Sequence, residues 1–261
     1  MNPSLSKVVV ILGVTASGKT DLAIKLARKI NGEIVSADSR QVYKEFDIGT
    51  AKPQGHWMTV GRTREFVSGG VVHYLVDTID PKEDFTLASY QKSAMEKLKE
   101  TSRRGRLPFL VGGTALYLKA VLENWNIPRV AANPALRSKL EHKKTEDLFG
   151  ELKRQDPEAA AVTGAYNKRR IVRALEVIYQ TGQKFSEQRK IGWPVFDALK
   201  IGLKISRPEL DQRIARRTDE MIKNGLAEEV RQLHKKYSWD LVPMQSIDYQ
   251  EFRDYFDGQK T

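Results

Sequence analysis

The stretch Gly13-Val14-Thr15-Ala16-Ser17-Gly18-Lys19-Thr20 constrains the chain more than any other. It fits the spacing G-x-x-x-x-G-K-[ST]. Before it runs Val8-Val9-Val10-Ile11-Leu12, a continuous apolar segment that reads as a buried strand. After it, Leu22, Ala23, Leu26, Ala27 and Ile30 recur at helical spacing. A glycine-bearing loop between strand and helix lets successive backbone N–H groups curl inward. The helix N-terminus adds partial positive charge, and Lys19 adds a full one. Such a loop binds a di- or triphosphate, with Thr20 placed to hold a Mg²⁺ bridging its oxygens. The motif does not say whose phosphates these are.

The rest of the pattern is read around that unit. Glu33-Ile34-Val35-Ser36-Ala37 predicts a second strand ending at Asp38. Residues 39–53 are polar and punctuated by Gly and Pro, and 54–70 are weakly patterned, which predicts a flexible excursion. Val71 to Asp77 returns to a strand-like run. A helix comes next, with Asp84 or Thr86 as its cap and Leu87, Tyr90, Ala94 and Leu98 on one face. Leu107 to Val111 is a further buried strand, stopping at Gly112-Gly113-Thr114, and Leu116, Ala120 and Val121 begin a helix. From Asn124 to about Pro194 strand-like runs vanish and charged helical patterns take over, with Asn133-Pro134 and Asp156-Pro157 as helix starts. Strand character resumes at Leu199 to Ile205. Ser206 and Pro208 then open a helix carrying Leu210, Ile214, Met221 and Ile222, and Val230 and Leu233 mark another. Alternating strand and helix predicts an α/β fold: a parallel sheet flanked by helices, with an α-helical insertion. The boundaries fall at 1–122 for the first part of the core, 123–195 for the insertion and 196–261 for the second part.

In parallel sheets ligands sit beyond the carboxyl ends of the strands, so Asp38 is expected to share a crevice with the phosphate loop. It would either ligate the metal or act as a general base; position alone does not separate the two. Two glycines at Gly112-Gly113 permit close approach by a ligand, with the Thr114 hydroxyl aimed into the same crevice. The alternative there is a tight strand-to-helix turn. In the insertion, Ile171, Ala174, Leu175 and Ile178 form a buried helix face, which puts Arg169, Arg170 and Arg173 on the other side. Three guanidiniums suit phosphate or base-edge contacts, although such runs are often merely solvated faces. Arg213 and Arg217 lie one turn apart, close enough for one to reach a diphosphate or for both to pair with Asp211 or Glu220. His56, His73, His142 and His234 show no metal-ligand spacing and read as structural.

Charge adds a hint about partners. There are 44 Lys+Arg against 33 Asp+Glu, a net +11, which suits a polyanion such as nucleic acid or simply a basic surface. The chain has no cysteine, which excludes disulfides and thiolate metal sites and agrees with a cytoplasmic setting. No apolar run approaches the roughly 20 residues of a membrane span, and Met1 to Lys7 holds no signal-peptide core.

Taken together, these pieces resemble the tRNA dimethylallyltransferase (tRNA isopentenyltransferase) family. Gly13 to Thr20 is similar to its GPTASGKT loop, with Val14 in place of Pro. Asp38-Ser39-Arg40-Gln41-Val42-Tyr43 and Asp47 to Pro53 match DSxQVYxxxDIGTAKP. Val111 to Thr114 with Leu116-Tyr117 matches VGGTxLY, Arg169 to Val177 looks like QRxxRALEV, and Arg213 through Met221 fits RIxxRxxxM. The likeness runs from about Lys7 to Phe252.

The resemblance implies transfer of a dimethylallyl group from its diphosphate to N6 of the adenosine 3′ of the anticodon. On that reading the loop Gly13, Val14, Thr15, Ala16, Ser17, Gly18, Lys19 and Thr20 holds the leaving diphosphate with Mg²⁺ at Thr20. Asp38 is the base, and Thr114 and Arg217 serve the diphosphate. The tRNA anticodon stem-loop meets Asp38, Ser39, Arg40, Gln41, Thr114, Arg137 and the helix bearing Arg169, Arg170, Ile171, Val172 and Arg173. A monomer is expected. Besides Val14, the sequence departs from the family where Arg169 stands for its Gln and where its AIGYKE reads Ser246-Ile247-Asp248-Tyr249-Gln250-Glu251, losing the glycine. Typical relatives continue past the position of Thr261 through a basic segment ending in a KRQxTWF-like sequence, so the chain is expected to be a short or truncated member. The competing readings are a P-loop kinase of a small molecule or nucleotide, an enzyme that prenylates free AMP or ADP, and an inactive RNA-binding remnant.

Overall fold

A computed structural model describes residues 5–128, 130–188 and 190–259, with only the backbone of Val60. The chain divides into two compact units, residues 1–122 with 195–261, and residues 123–194.

The first unit is built on a seven-stranded sheet. In chain order its elements begin with β1 (Ser6–Gly13), α1 (Lys19–Lys29), β2 (Gly32–Ser36), β3 (His56–Val60), β4 (Thr63–Ser68), β5 (Val71–Tyr74), α2 (Leu87–Arg103), β6 (Leu107–Gly112) and α3 (Ala115–Leu122). The strand order is β3-β4-β5-β2-β6-β1, closed at the far edge by a strand from residues 196–203 that pairs with β1 in parallel along its whole length. β5, β2, β6 and β1 are also mutually parallel, which puts their carboxyl ends on one edge. β4 runs antiparallel to both of its neighbours, β3 and β5. The expected flexible excursion over 54–70 is therefore a hairpin that extends the sheet. Its weak pattern comes from its place at the edge, where Met58, Arg64 and other side chains stay in solvent.

Apolar side chains seal both faces of the sheet. Ala23 and Ala27 of α1 pack with Val9, Ile11, Ile34, Phe109 and Val111 on one side. Tyr90, Ala94 and Leu98 of α2 pack with Val8, Val10, Val35 and Leu110 on the other. Thr86, not Asp84, caps α2, its side chain accepting from Ser89 N–H. In α3 the inward residues are Tyr117, Leu118, Ala120 and Val121, while Leu116 is exposed.

The second unit contains β7 (Trp125–Asn126), α4 (Pro134–Glu141), α5 (Thr145–Gln155), α6 (Pro157–Thr163), α7 (Lys168–Thr181), α8 (Phe185–Gln188) and β8 (Lys190–Ile191). Asn133 and Asp156 cap α4 and α6 with Pro at the first helical position, as their sequences predict. Leu140, Leu148, Leu152, Ile171, Ala174 and Leu175 form its core. Strand structure does not vanish here entirely, because β7 and β8 make a short antiparallel pair.

The chain then returns to the first unit with β9 (Phe196–Leu203), α9 (Arg207–Lys223), α10 (Leu226–Lys236), a 3₁₀ turn (Gln250–Phe252) and α11 (Arg253–Phe256). Ser206 caps α9. That helix buries Met221 alone and leaves Ile214 and Ile222 exposed, so its apolar stripe is thinner than its sequence suggests.

Candidate active site

Parallel strands deliver the loops at their carboxyl ends to one edge of the sheet. The loop after β1, Asp38 after β2, and Gly113-Thr114 after β6 meet there because β2, β6 and β1 are neighbours. A crevice of about 210 Å³ opens at this edge. Thr15, Ala16, Gly18, Lys19 and Thr20 line it, with Asp38, Gln41, Gly112 and Arg217.

The loop is shaped by two left-handed residues, Ala16 (φ 61°) and Gly18 (φ 85°), which turn its amides toward the helix mouth. Lys19 Nζ donates to Val14 O at 2.6 Å and so lies over the loop. Burial lowers the Lys19 pKa; Asp38 works against the shift and Arg217 adds to it. These three charges therefore share one neighbourhood. Ser17 Oγ is buried with no hydrogen-bond partner among the described residues.

Asp38 does two things at once. Its Oδ1 accepts the N–H groups of Arg40 (2.9 Å) and Gln41 (3.3 Å), fixing the turn that leaves β2. Its Oδ2 has no hydrogen-bond partner among the described residues. Gln41 in turn donates to Thr50 O (3.1 Å) and Ala51 O (3.0 Å), which steadies the wall formed by Thr50, Ala51 and Pro53.

Gly112 is needed for a reason the sequence does not reveal. A Cβ there would run into the carbonyl oxygen of Ala37. Ala37 N donates to Val111 O (2.7 Å) and Thr114 N to Ala37 O (3.1 Å). The close approach is thus backbone to backbone, and it zips the exits of β2 and β6 together. Thr114 does not line the crevice; its Oγ1 accepts from Ser39 N at 3.2 Å, which leaves its proton available to a ligand at the rim.

Arg213 and Arg217 take different roles. Arg213 pairs with Glu209 (2.7 Å), and Asp211 pairs with Arg207. Arg217 has no carboxylate within ion-pair distance among the described residues and faces the crevice.

Sequence reasoning misses several lining residues: Ile34, His73, Val76 and Val111. His73, which reads as structural in the sequence, is 3% exposed, with Nδ1 hydrogen-bonded to Val71 O (2.9 Å) and Nε2 unpartnered among the described residues. Burial lowers its pKa and keeps the ring neutral. The signal for it is its place four residues before the Asp77 turn, at the end of a strand bordering β2.

The arginines of the second unit are also sorted by their partners. Glu176 is wholly buried and accepts from Arg137 Nε (2.9 Å) and Nη2 (3.0 Å), Arg173 Nη1 (2.6 Å) and Asn133 N (2.7 Å). Burial would raise its carboxyl pKa, but these donors hold it below the usual range. Ile171 and Val172 are buried, so their side chains offer no surface to a nucleic acid. Arg169 and Arg170 remain exposed. Asp248, where the resemblance expects glycine, lies at φ 76°, the left-handed region glycine favours.

Fold and crevice define a phosphate-loop α/β protein whose loop faces a carboxylate across a strand-edge cleft. A family model described as IPP transferase matches residues 41–261. A tRNA dimethylallyltransferase of Roseiflexus sp. is 46% identical over 258 residues, covering 97% of this chain and 81% of that protein. That of Bacillus subtilis is 39% identical, covering 100% and 82%. Among solved structures, the full-length tRNA isopentenylpyrophosphate transferase of Bacillus halodurans superposes with a TM-score of 0.67 at 38% identity, over 98% of this chain and 79% of its own. A eukaryotic dimethylallyltransferase acting on tRNA reaches 0.78 at 30% identity, over 97% and 64%. The chain belongs to the tRNA dimethylallyltransferase (IPP transferase) family. No described helix is long and apolar enough to cross a membrane.

Proposed function

We propose that the chain transfers a dimethylallyl group from dimethylallyl diphosphate to N6 of the adenosine 3′ of the anticodon in tRNA. The observation that carries this reading is the pairing, in one crevice, of a phosphate loop with an Asp38 oxygen that no described donor occupies. The exocyclic amine of adenine is a poor nucleophile and keeps its proton until the new bond forms. As the C1–N6 bond forms and the C1–O bond breaks, the nitrogen becomes acidic and Asp38 takes its proton. Pyrophosphate leaves toward Lys19, Arg217, the loop amides and the Thr114 hydroxyl, which meet its growing negative charge. The adenine must leave its stack to reach them.

The residues fit a magnesium ion of the kind that relies on its substrate. Thr20 lines the crevice, and no cluster of three His, Cys, Asp or Glu stands among the described residues. Such a hard cation would take Thr20 Oγ1, diphosphate oxygens and water, and it would supply charge neutralisation to the leaving group.

For tRNA, Ser39, Arg40 and Gln41 border the base site, while the exposed Arg169 and Arg170 meet phosphates. Arg137 and Arg173 act by holding α4 and α7 together through Glu176. The reaction runs in a monomer. The test is to incubate the protein with labelled dimethylallyl diphosphate and unmodified tRNA, then digest the RNA. Label in the purine 3′ of the anticodon supports the reading. Label in free AMP alone, or none at all with the fold intact, overturns it.

A further inference from the structure

The edge hairpin β3–β4 is tied to the crevice through Asp77, which follows β5 and sits at φ 56°. The Asp77 backbone N–H donates to Gln41 O (2.9 Å), and the next amide, Thr78 N, donates to Val42 O (2.9 Å). Gln41 is the residue whose own N–H reaches Asp38 Oδ1. The main chain of Asp77 therefore backs the turn that presents Asp38.

The carboxylate takes a further donor on each oxygen. Lys52 Nζ donates to Oδ1 (2.8 Å) and Trp57 Nε1 to Oδ2 (2.7 Å). The Lys52 side chain is only 5% exposed and also meets Tyr43 O (2.8 Å) and Asp47. Lys52 stands between Ala51 and Pro53, which line the crevice with Thr50. Trp57 belongs to β3, and its ring packs edge-on against Phe66 of β4, with 6.0 Å between centroids. Asp77 thus joins the Asp38 turn, the Thr50–Pro53 wall and the hairpin. A carboxylate suits this place because both oxygens must accept; an amide would turn an N–H toward one of the two donors. A non-glycine residue in the left-handed region persists where its surroundings hold it there, and Asp or Asn carries that backbone most easily.

We propose that Asp77 is a positioning residue for the transfer step: it holds the Asp38 turn and the Thr50–Pro53 wall in register, with the edge hairpin bracing both through Trp57. This rests on the reaction reading given above. Asp77 does not line the crevice, so it acts through Asp38 and the wall. The diphosphate grip comes from the loop after β1. Among the described residues, that loop shares no hydrogen bond with Asp77, Lys52 or Trp57. Loosening Asp77 therefore misplaces the base without weakening the hold on the diphosphate. A shift of Asp38 by up to about 1 Å slows transfer about 10- to 100-fold.

The test sets two measurements on the full chain side by side. One is the single-turnover rate of prenyl transfer at saturating dimethylallyl diphosphate and tRNA. The other is the Kd of inorganic pyrophosphate with Mg²⁺, by calorimetry. Asp77→Asn keeps the side-chain shape and tolerates the left-handed backbone, but leaves one donor unmet. It is expected to slow transfer about 10- to 100-fold with the pyrophosphate Kd near wild type. Trp57→Phe keeps a ring against Phe66 and removes the N–H. It is expected to cause a smaller loss of rate, about threefold to tenfold, again with Kd unchanged. The charged Lys52 outcompetes the indole for the single oxygen of an amide, so Trp57→Phe is expected to add nothing in the Asp77→Asn background. A wild-type rate in either single variant overturns the proposal. So do a rate and an affinity that fall together, which would mark a purely structural role, and losses that multiply in the double variant. If the wild-type protein transfers no prenyl group at all, the reaction reading falls and this inference with it; transfer that is intact but insensitive to Asp77 sinks the inference alone.

Discussion

The strand-edge crevice and helix α7 both carry clustered cations, and they use them in opposite ways. In the crevice Lys19 is held by the carbonyl of Val14 and by burial, and Arg217 lines the wall without a described carboxylate in ion-pair reach. In α7 the buried Glu176 takes both Arg137 and Arg173, leaving Arg169 and Arg170 in solvent. Residue type alone does not tell a binding cation from a structural one. What decides is whether a desolvated carboxylate already holds it.

Substitutions can break this contrast. The largest expected effect is on chemistry. Asp38→Asn keeps an acceptor for the Arg40 and Gln41 amides but cannot take a proton. Transfer should fall by about 10²–10⁴-fold while tRNA binding, monitored by filter retention, stays near wild type. An equal loss of binding would mean that Asp38 holds the RNA rather than the proton.

Next comes the buried carboxylate. Glu176→Ala removes the buried acceptor that ties Asn133, Arg137 and Arg173 together, leaves two partly exposed guanidiniums to the solvent, and should cost the second unit about 1.5–3 kcal/mol of stability, read by thermal denaturation. The same linkage acts with pH. The folded pKa of Glu176 is depressed, so its contribution is present above the unfolded value of about 4.3 and is lost as pH falls through the folded one. Acid should therefore destabilise the wild-type unit more steeply than the Glu176→Gln variant.

Gly112→Ala and Gly182→Ala form a matched pair. The first drives a methyl into Ala37 O and should cost about 3 kcal/mol, with transfer activity lost as the β2 and β6 exits part. The second meets open space at φ 68°, ends α7, and should cost only about 1 kcal/mol with activity kept. Comparable losses in the two would deny the crevice its special tightness.

The smallest effects separate the arginines. Arg169→Ala and Arg170→Ala should each weaken tRNA binding modestly and reduce the salt slope by roughly one. Arg173→Ala should instead lower the melting temperature and leave that slope alone.

These contrasts also show how much is legible in the residues. The phosphate loop, Asp38 and the strand-edge crevice can be read because their signals are local: spacing, a strand before, a helix after. The helix caps at Asn133, Asp156 and Ser206 are readable for the same reason. The β3–β4 hairpin is not, since edge strands half in solvent lose their alternation. Glu176 escapes notice because it sits among buried apolar residues on α7 and its partner Arg137 lies 39 residues away. The need for Gly112 is visible, but its cause, the carbonyl of Ala37, belongs to another strand's exit. His73 hides in an apolar run, and only the pairing of β5 with β2 brings it to the crevice.

The central claim is that the loop grips the leaving group of an allylic donor and not the tail of a nucleotide. The most direct measurement is the pyrophosphate released per prenyl group joined to tRNA, with and without ATP. The account predicts one pyrophosphate for each prenyl group, no need for ATP, and no formation of ADP. Turnover that requires ATP and yields ADP, with dimethylallyl diphosphate left intact, would contradict it.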